Sequence, residues 1–347
     1  RQMCIRDRND ILVRVLNHLP VDRIPVWMMR QAGRTDPEYN QLRKNDGRAL
    51  EELFLDPETA IKISLLSKRL GVDAIIMFQD ILTPLTPAGA GFRFAPGPIL
   101  EEPVRTFSQV KALRTVDPEI HLQTVAQILK GLNAELKGEL PVLGFAGSPM
   151  SLAFFLIAGN NPNRKIKEIL AFVEEQPAIT KVLLELLTEM TVDYINFQIA
   201  SGAHVVQLFE SFAEFIPLEI YKQFVQPPHE KIFSSLATKA PSILFTKESP
   251  HLDLMLQSGA SVLSVGNCID LAQAKKRAPE MIFQGNVDNQ ILADGTKEEI
   301  TQAVRKCFEQ SGRKNHILNL NHGLLERTPF ENVQHFVDVA KELGSVE

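Results

Sequence analysis

The chain has 347 residues, 44% hydrophobic and 23% charged, the profile of a globular protein large enough to fold without disulfide staples. With 37 Lys and Arg against 42 Asp and Glu, the formal net charge is −5, which argues against a nucleic-acid or membrane-surface partner. No apolar run is long enough to span a membrane. The cysteines Cys4, Cys268 and Cys307 are odd in number, and no pair has metal-ligand spacing, so they read as reduced thiols in a cytoplasmic protein. The opening RQMCIRDR resembles a translated adapter or cloning scar. Residues 1–8 are therefore read as a non-native leader, and 9–347 as one domain.

Eight short apolar runs rich in β-branched or aromatic residues follow in chain order: Ile24–Met28, Asp73–Phe78, Pro141–Phe145, His204–Phe209, Ser242–Phe245, Ser261–Val265, Met281–Phe283 and His316–Leu320. Most are continuous rather than alternating, as in parallel strands covered on both faces. Helical patterns lie between them. Leu122, Val125, Leu129, Leu132 and Leu136 share one face. Pro177 opens a long helix that runs to about Ser201, with Gly202 as its stop. Thr328, Pro329 and Glu331 read as a capping box that starts the last helix, whose Val333, Phe336, Val337, Ala340 and Leu343 face inward.

Strands alternating with helices suggest a closed (β/α)₈ barrel or a doubly wound open sheet. No glycine-rich phosphate loop follows the first run, which favours a single (β/α)₈ TIM-type barrel. Functional groups should then follow the C-terminal ends of the strands. Arg30 and Arg34 follow the first run, Asp80 the second, and Ser148, Ser211, Lys247, Asn286 and His322 follow five others.

Three segments carry chemistry. In Met29-Arg30-Gln31-Ala32-Gly33-Arg34, two guanidinium forks can each hold a carboxylate, either of a ligand or of the protein itself. Asp80, among Phe78, Ile81 and Leu82, is costly to bury unpaired. It caps a helix, pairs with a barrel arginine, or accepts from the N–H groups of a ligand. His322, before Gly323 at a strand end, is a ligand contact, a proton donor or a satisfied loop histidine.

Six motifs occur together in order: RQAGR with Pro37-Glu38-Tyr39, Phe78–Leu82, Gly144–Pro149, Gln207–Ser211, Gln284–Asp288 and Asn319–Gly323. With them the chain resembles the uroporphyrinogen decarboxylase family from Ile11 to Leu343. The resemblance implies a homodimeric barrel that decarboxylates the four acetate arms of uroporphyrinogen without metal or organic cofactor. It implies that Arg30, Arg34 and Asp80 are catalytic, that the two arginines bind substrate carboxylates, and that Gln31, Ala32, Gly33 and Phe155 also contact the substrate. Asp80 accepts from the pyrrole N–H groups, and Ser211 and His322 contact side-chain carboxylates. Four places depart from the family pattern. Phe155 stands for a tyrosine, Thr35-Asp36 for Tyr-Leu, Gln79 for a serine, and Gly266-Asn267 for an Asp-Trp pair.

The implied chemistry needs no cofactor, because a protonated pyrrole can accept the electrons released with CO₂. The sequence leaves open whether an arginine or a bound water delivers that proton. Two other readings exist. A zinc- and corrinoid-linked methyltransferase of a related barrel family needs a His-x-Cys pair. Here His204 precedes Val205 and Val206, and no such pair occurs. A non-catalytic tetrapyrrole-binding protein is suggested by Phe155 and Gly266-Asn267 but not by the presence of Arg30, Arg34, Asp80 and His322.

Overall fold

Continuous apolar strands need cover on both faces, and a closed ring of strands inside a ring of helices provides it. In the computed structural model the described residues are 10–346 other than Pro96, Thr238 and Lys239; the segment read as a leader lies outside them. The strands are β1 (Ile75–Ile76), β2 (Arg93–Phe94), β3 (Pro98–Ile99), β4 (Val142–Gly147), β5 (Val205–Glu210), β6 (Ser242–Thr246), β7 (Val262–Ser264), β8 (Ile282–Val287) and β9 (His316–Leu320). β1 and β4 to β9 form a seven-stranded parallel sheet in chain order.

The Ile24–Met28 run closes the ring. Val26 bridges Leu318 in parallel, Leu318 N donates to Pro25 O, and Asp73 N donates to Val26 O beside β1. All eight apolar runs thus lie in one barrel wall. The pair β2–β3 is a separate antiparallel hairpin that the apolar pattern did not single out.

The helices answer to their sequence signals. Gln123–Leu136 buries Val125, Leu129, Leu132 and Leu136. Pro177–Ala200 runs 24 residues and ends before Gly202, whose φ of 109° suits glycine. The last helix, Phe330–Leu343, buries Val333, Phe336, Val337 and Ala340, but the capping box is corrected. Pro329, not Thr328, is the N-cap, and no side chain caps the helix. Thr328 is held in the preceding turn with its N–H on Leu325 O, and its hydroxyl is buried without a partner among the described residues. Glu331 therefore falls one place short of the third helical position. Asn332 occupies that position and donates to Leu292 O and Gly295 O.

At the N-terminal end of the barrel, Arg23 grips Asp73 with two hydrogen bonds of 2.7 and 2.6 Å, and Val26 N adds a third donor at 2.7 Å. The Asp73 side chain is fully buried. This pair fastens the closing segment to the start of β1.

Candidate active site

The same two segments leave the barrel at its C-terminal end, where the chemistry should lie. The closing segment runs into the loop Met29–Arg34. Gln31 anchors that loop, accepting from Met28 N and donating to Ser67 Oγ and Ala74 O. Its amide is thus buried and bonded inside the protein, which corrects the expectation that Gln31 contacts the substrate. Ala32 packs beside Tyr39, Leu53 and Phe78, and Gly33 turns the chain with φ 152°. Arg30 has φ 63°, a left-handed conformation that is strained for a residue with a side chain. Its stem lies across Gly323, where any Cβ would come within 2.7 Å of Arg30 Cδ. Among the described residues no hydrogen bond or ion pair holds the Arg30 guanidinium. Arg34 stands on the rim, 57% exposed, 3.4 Å from a still more open Glu326.

Asp80 follows β1. Its Oδ1 accepts from Leu82 N at 2.8 Å, a turn-type cap, and no cation lies within ion-pair distance among the described residues. Gln79 braces this turn from outside. It donates to Phe54 O and accepts from Thr83 Oγ1. Burial pushes the Asp80 carboxyl above its usual range, with Leu82 N–H and Arg30 pulling the other way. Burial also lowers Arg30, Arg34 lowers it further, and Asp80 partly offsets them. The His322 imidazole is held down at about 3 by burial, then by Arg30 and Lys247. Arg30 feels the charges of Arg34 and Asp80, and His322 those of Arg30 and Lys247, so these side chains neighbour one another past the strand ends. At neutral pH His322 is an uncharged ring there.

The other wall comes from β4 and β5. Phe155, on the helix Pro149–Ala158, packs edge-on against Phe92 at 6.2 Å and Phe212 at 5.5 Å. Ser211, next to Phe212, donates its N–H to Ser151 Oγ at 2.7 Å and is half-buried. Ser148, at the end of β4, is not open to the cleft. It is fully buried and donates to Glu210 Oε2 at 2.6 Å, with His229 Nε2 3.1 Å away. Ser151 donates to the other Glu210 oxygen at 2.6 Å. This Ser–Glu–His network was not legible in the sequence, since its serines stand 59 to 81 residues from their Glu210 and His229 partners. Lys247 pairs with Glu214 at 2.5 Å, and Asn286 donates to Gly266 O and Ile269 O.

Beneath the charged rim lies an aromatic floor. Phe145 meets Phe209, Phe209 meets Phe245, and Phe245 meets the His322 ring at centroid distances of 5.6, 5.3 and 5.8 Å. These rings were read as strand residues only; the inward alternation of β4, β5 and β6 turns them into a floor. The departure Thr35-Asp36 also finds its reason. Asp36 caps the helix Pro37–Asp46 and pairs with Arg69.

Among the described residues no three His, Cys, Asp or Glu side chains are grouped to hold a metal ion. Burial pushes both described thiols, Cys268 and Cys307, up to about 12; Cys4 lies outside the described residues. No helix among the described residues is long and apolar enough to cross a membrane.

The family model described as Uroporphyrinogen decarboxylase (URO-D) matches residues 7–343. A protein of Trichlorobacter lovleyi named uroporphyrinogen decarboxylase is 37% identical over 330 residues, covering 94% of this chain and 96% of that one. One of Carboxydothermus hydrogenoformans with the same name is 36% identical, covering 97% of each. Among solved structures, a methyltransferase from Methanosarcina mazei superposes with a TM-score of 0.76 at 19% identity, over 96% of this chain and 98% of that one. At that identity the likeness concerns the barrel alone. The (β/α)₈ barrel, the six ordered motifs and the matched relatives agree: the chain belongs to the uroporphyrinogen decarboxylase family.

Proposed function

We propose that this cleft decarboxylates the acetate arms of uroporphyrinogen to give coproporphyrinogen in tetrapyrrole biosynthesis. The observation that carries the reading is an arginine without a hydrogen bond or ion pair, electrostatically coupled to a carboxylate whose only described hydrogen bond is from Leu82 N, beside a phenylalanine cluster. A tetrapyrrole presents apolar ring faces, central N–H donors and peripheral carboxylates. The floor suits the faces, Asp80 the donors, and Arg30, Arg34, Ser211 and His322 the carboxylates.

In each step a proton adds to the pyrrole carbon beside the acetate arm. The C–C bond to the carboxylate then breaks, its electron pair flows into the cationic ring, and CO₂ leaves. The methylene takes up a proton as the ring loses its own, so the net change is one proton consumed and one CO₂ released per arm. Asp80 stabilises the positive charge while it lasts, a preorganised electrostatic contribution of about 3–4 kcal/mol. Arg30 and Arg34 select which arm stands at the reacting place. The substrate itself serves as the electron sink, so the reading needs no cofactor.

Neutral His322 donates an N–H to a substrate carboxylate. A bound carboxylate counters the repulsion of Arg30 and Lys247 and raises the imidazole pKa. We further propose that the protein works in the cytoplasm as a homodimer, with residues 9–347 as one catalytic domain and no nucleic-acid or membrane partner.

The test is CO₂ release from chemically reduced uroporphyrinogen under anaerobic conditions. Release of four equivalents per substrate is expected. Tight binding without release would replace this reading with a tetrapyrrole-binding role.

A further inference from the structure

The resemblance implies an aspartate where this chain has Gly266, and another carboxylate stands beside that glycine. Glu248, two residues beyond β6, points its side chain at Gly266 so closely that a Cβ there would meet its Oε2 and Cδ at 2.5 Å. Glu248 Oε1 accepts from Asn267 N at 3.0 Å and from Asn321 Nδ2 at 2.9 Å, and Oε2 accepts from Cys268 N at 2.9 Å. One carboxylate thus ties together the loops after β6, β7 and β9. Glu248 does so with φ 46°, a backbone state that favours glycine. Strain of this kind persists only where the contacts around it hold the residue in place.

The contact to Asn321 reaches the cleft, because Asn321 precedes His322. Asn321 Oδ1 accepts from Asn289 N at 2.9 Å, and Asn289 Nδ2 donates to Gly323 O at 2.8 Å. His322 is therefore held from both sides, and Glu248 closes the hold on one of them. An aspartate at 266 could accept from the N–H two residues on, the Asx-turn geometry, and so meet the same Cys268 amide.

We propose that Glu248 is a positioning residue for His322, supplying from the β6 loop the carboxylate that the family carries at position 266. Gly266 makes room for Glu248, and Glu248 accepts the backbone strain. The inference rests on the decarboxylase reading only for its kinetic readout.

The experiment swaps the carboxylate back. Glu248→Gly removes it, Gly266→Asp crowds a second one against the first, and the double variant relocates it. If His322 loses its alignment to a substrate carboxylate, KM for uroporphyrinogen rises roughly tenfold in Glu248→Gly, with kcat per folded molecule within about twofold. A merely structural role would lower the folded fraction and leave KM alone. Glu248→Gln, which turns an amide N–H₂ toward the Cys268 N–H, raises KM in the same way if the glycine variant does not fold. The double variant should return KM to within about threefold of the unsubstituted protein. Melting temperatures give a second readout independent of substrate: both single variants melt lower, and the double recovers. A double variant no better than the worse single, or an unchanged KM in folded Glu248→Gly or Glu248→Gln, overturns the proposal. If the unsubstituted protein releases no CO₂, the decarboxylase reading fails, while the melting temperatures still decide whether the carboxylate has moved.

Discussion

The same two segments carry an Arg–Asp pair at each end of the barrel, and the pairs are built in opposite ways. At the N-terminal end, Arg23 and Asp73 meet in a bidentate grip with a third donor from Val26. At the C-terminal end, Arg30 and Asp80 interact only at a distance, and no ion pair or hydrogen bond joins them. Burying charge is costly unless it is paired, so the closed pair belongs to stability. The open pair keeps its hydrogen-bonding capacity for something else. The barrel thus separates the two tasks along its axis.

Breaking each pair should therefore give different losses. The largest effect is expected for Asp80→Asn. The amide keeps the volume but lacks the charge that steadies a cationic pyrrole, so turnover should fall roughly a hundred- to a thousandfold. Next is Asp73→Asn, which leaves Arg23 without its anion at a nearly closed site. About 3 kcal/mol of stability should be lost in urea denaturation, with activity per folded molecule retained.

Arg34→Lys comes third. An ammonium cannot reproduce a planar fork, so substrate affinity should weaken about tenfold. The Arg34–Glu326 contact is exposed on both sides, and its loss should leave the denaturation midpoint nearly unchanged. A large stability loss with normal affinity would instead make Arg34 a structural residue.

The histidines give a pH test. His322 and His316 are both held at about 3, chiefly by burial. An unfolded imidazole takes up its proton near about 6.5. Between these values the unfolded chain binds more protons, so stability is present above about pH 6.5 and is lost as pH falls toward 3. Asp80 has the opposite sign: its carboxyl is held above the ordinary range, so ionising it disfavours the folded state as pH rises through that range. A His322→Gln variant isolates the histidine part, and its melting temperature should fall less steeply between pH 6.5 and 4.5. An unchanged slope would mean that the cleft does not keep His322 neutral.

The eight barrel runs were legible because a strand covered on both faces must be apolar throughout, a local property. Arg30, Asp80 and His322 were legible for a related reason: each stands just past such a run, and topology brings those points together. Partner choice was not legible. Gln31 lies between two cleft arginines in sequence, yet it turns inward to Ser67 and Ala74. Ser148 follows a strand end as Ser211 does, but Glu210 draws it into the core. Thr328 has the spacing of a cap but sits in a turn closed on Leu325. Each outcome depends on three-dimensional placement that no spacing rule encodes.

The smallest effect is expected at Phe155, where the resemblance implies a tyrosine. Its ring is half-buried between Phe92 and Phe212 and beside the Ser211 wall. Phe155→Tyr should raise kcat/KM about threefold by one added hydrogen bond to a substrate carboxylate. A loss of roughly 1–3 kcal/mol of stability without kinetic gain would place the ring tip in the aromatic cluster instead.

The claim that the two ends of the barrel do separate work is tested most directly by measuring Asp80→Asn and Asp73→Asn side by side. Each variant is followed by CO₂ release per folded molecule and by its urea midpoint. The account predicts a crossed result: Asp80→Asn loses release and keeps its midpoint, while Asp73→Asn loses its midpoint and keeps release. Near-normal release from folded Asp80→Asn, or an equal loss of stability in both variants, would contradict it.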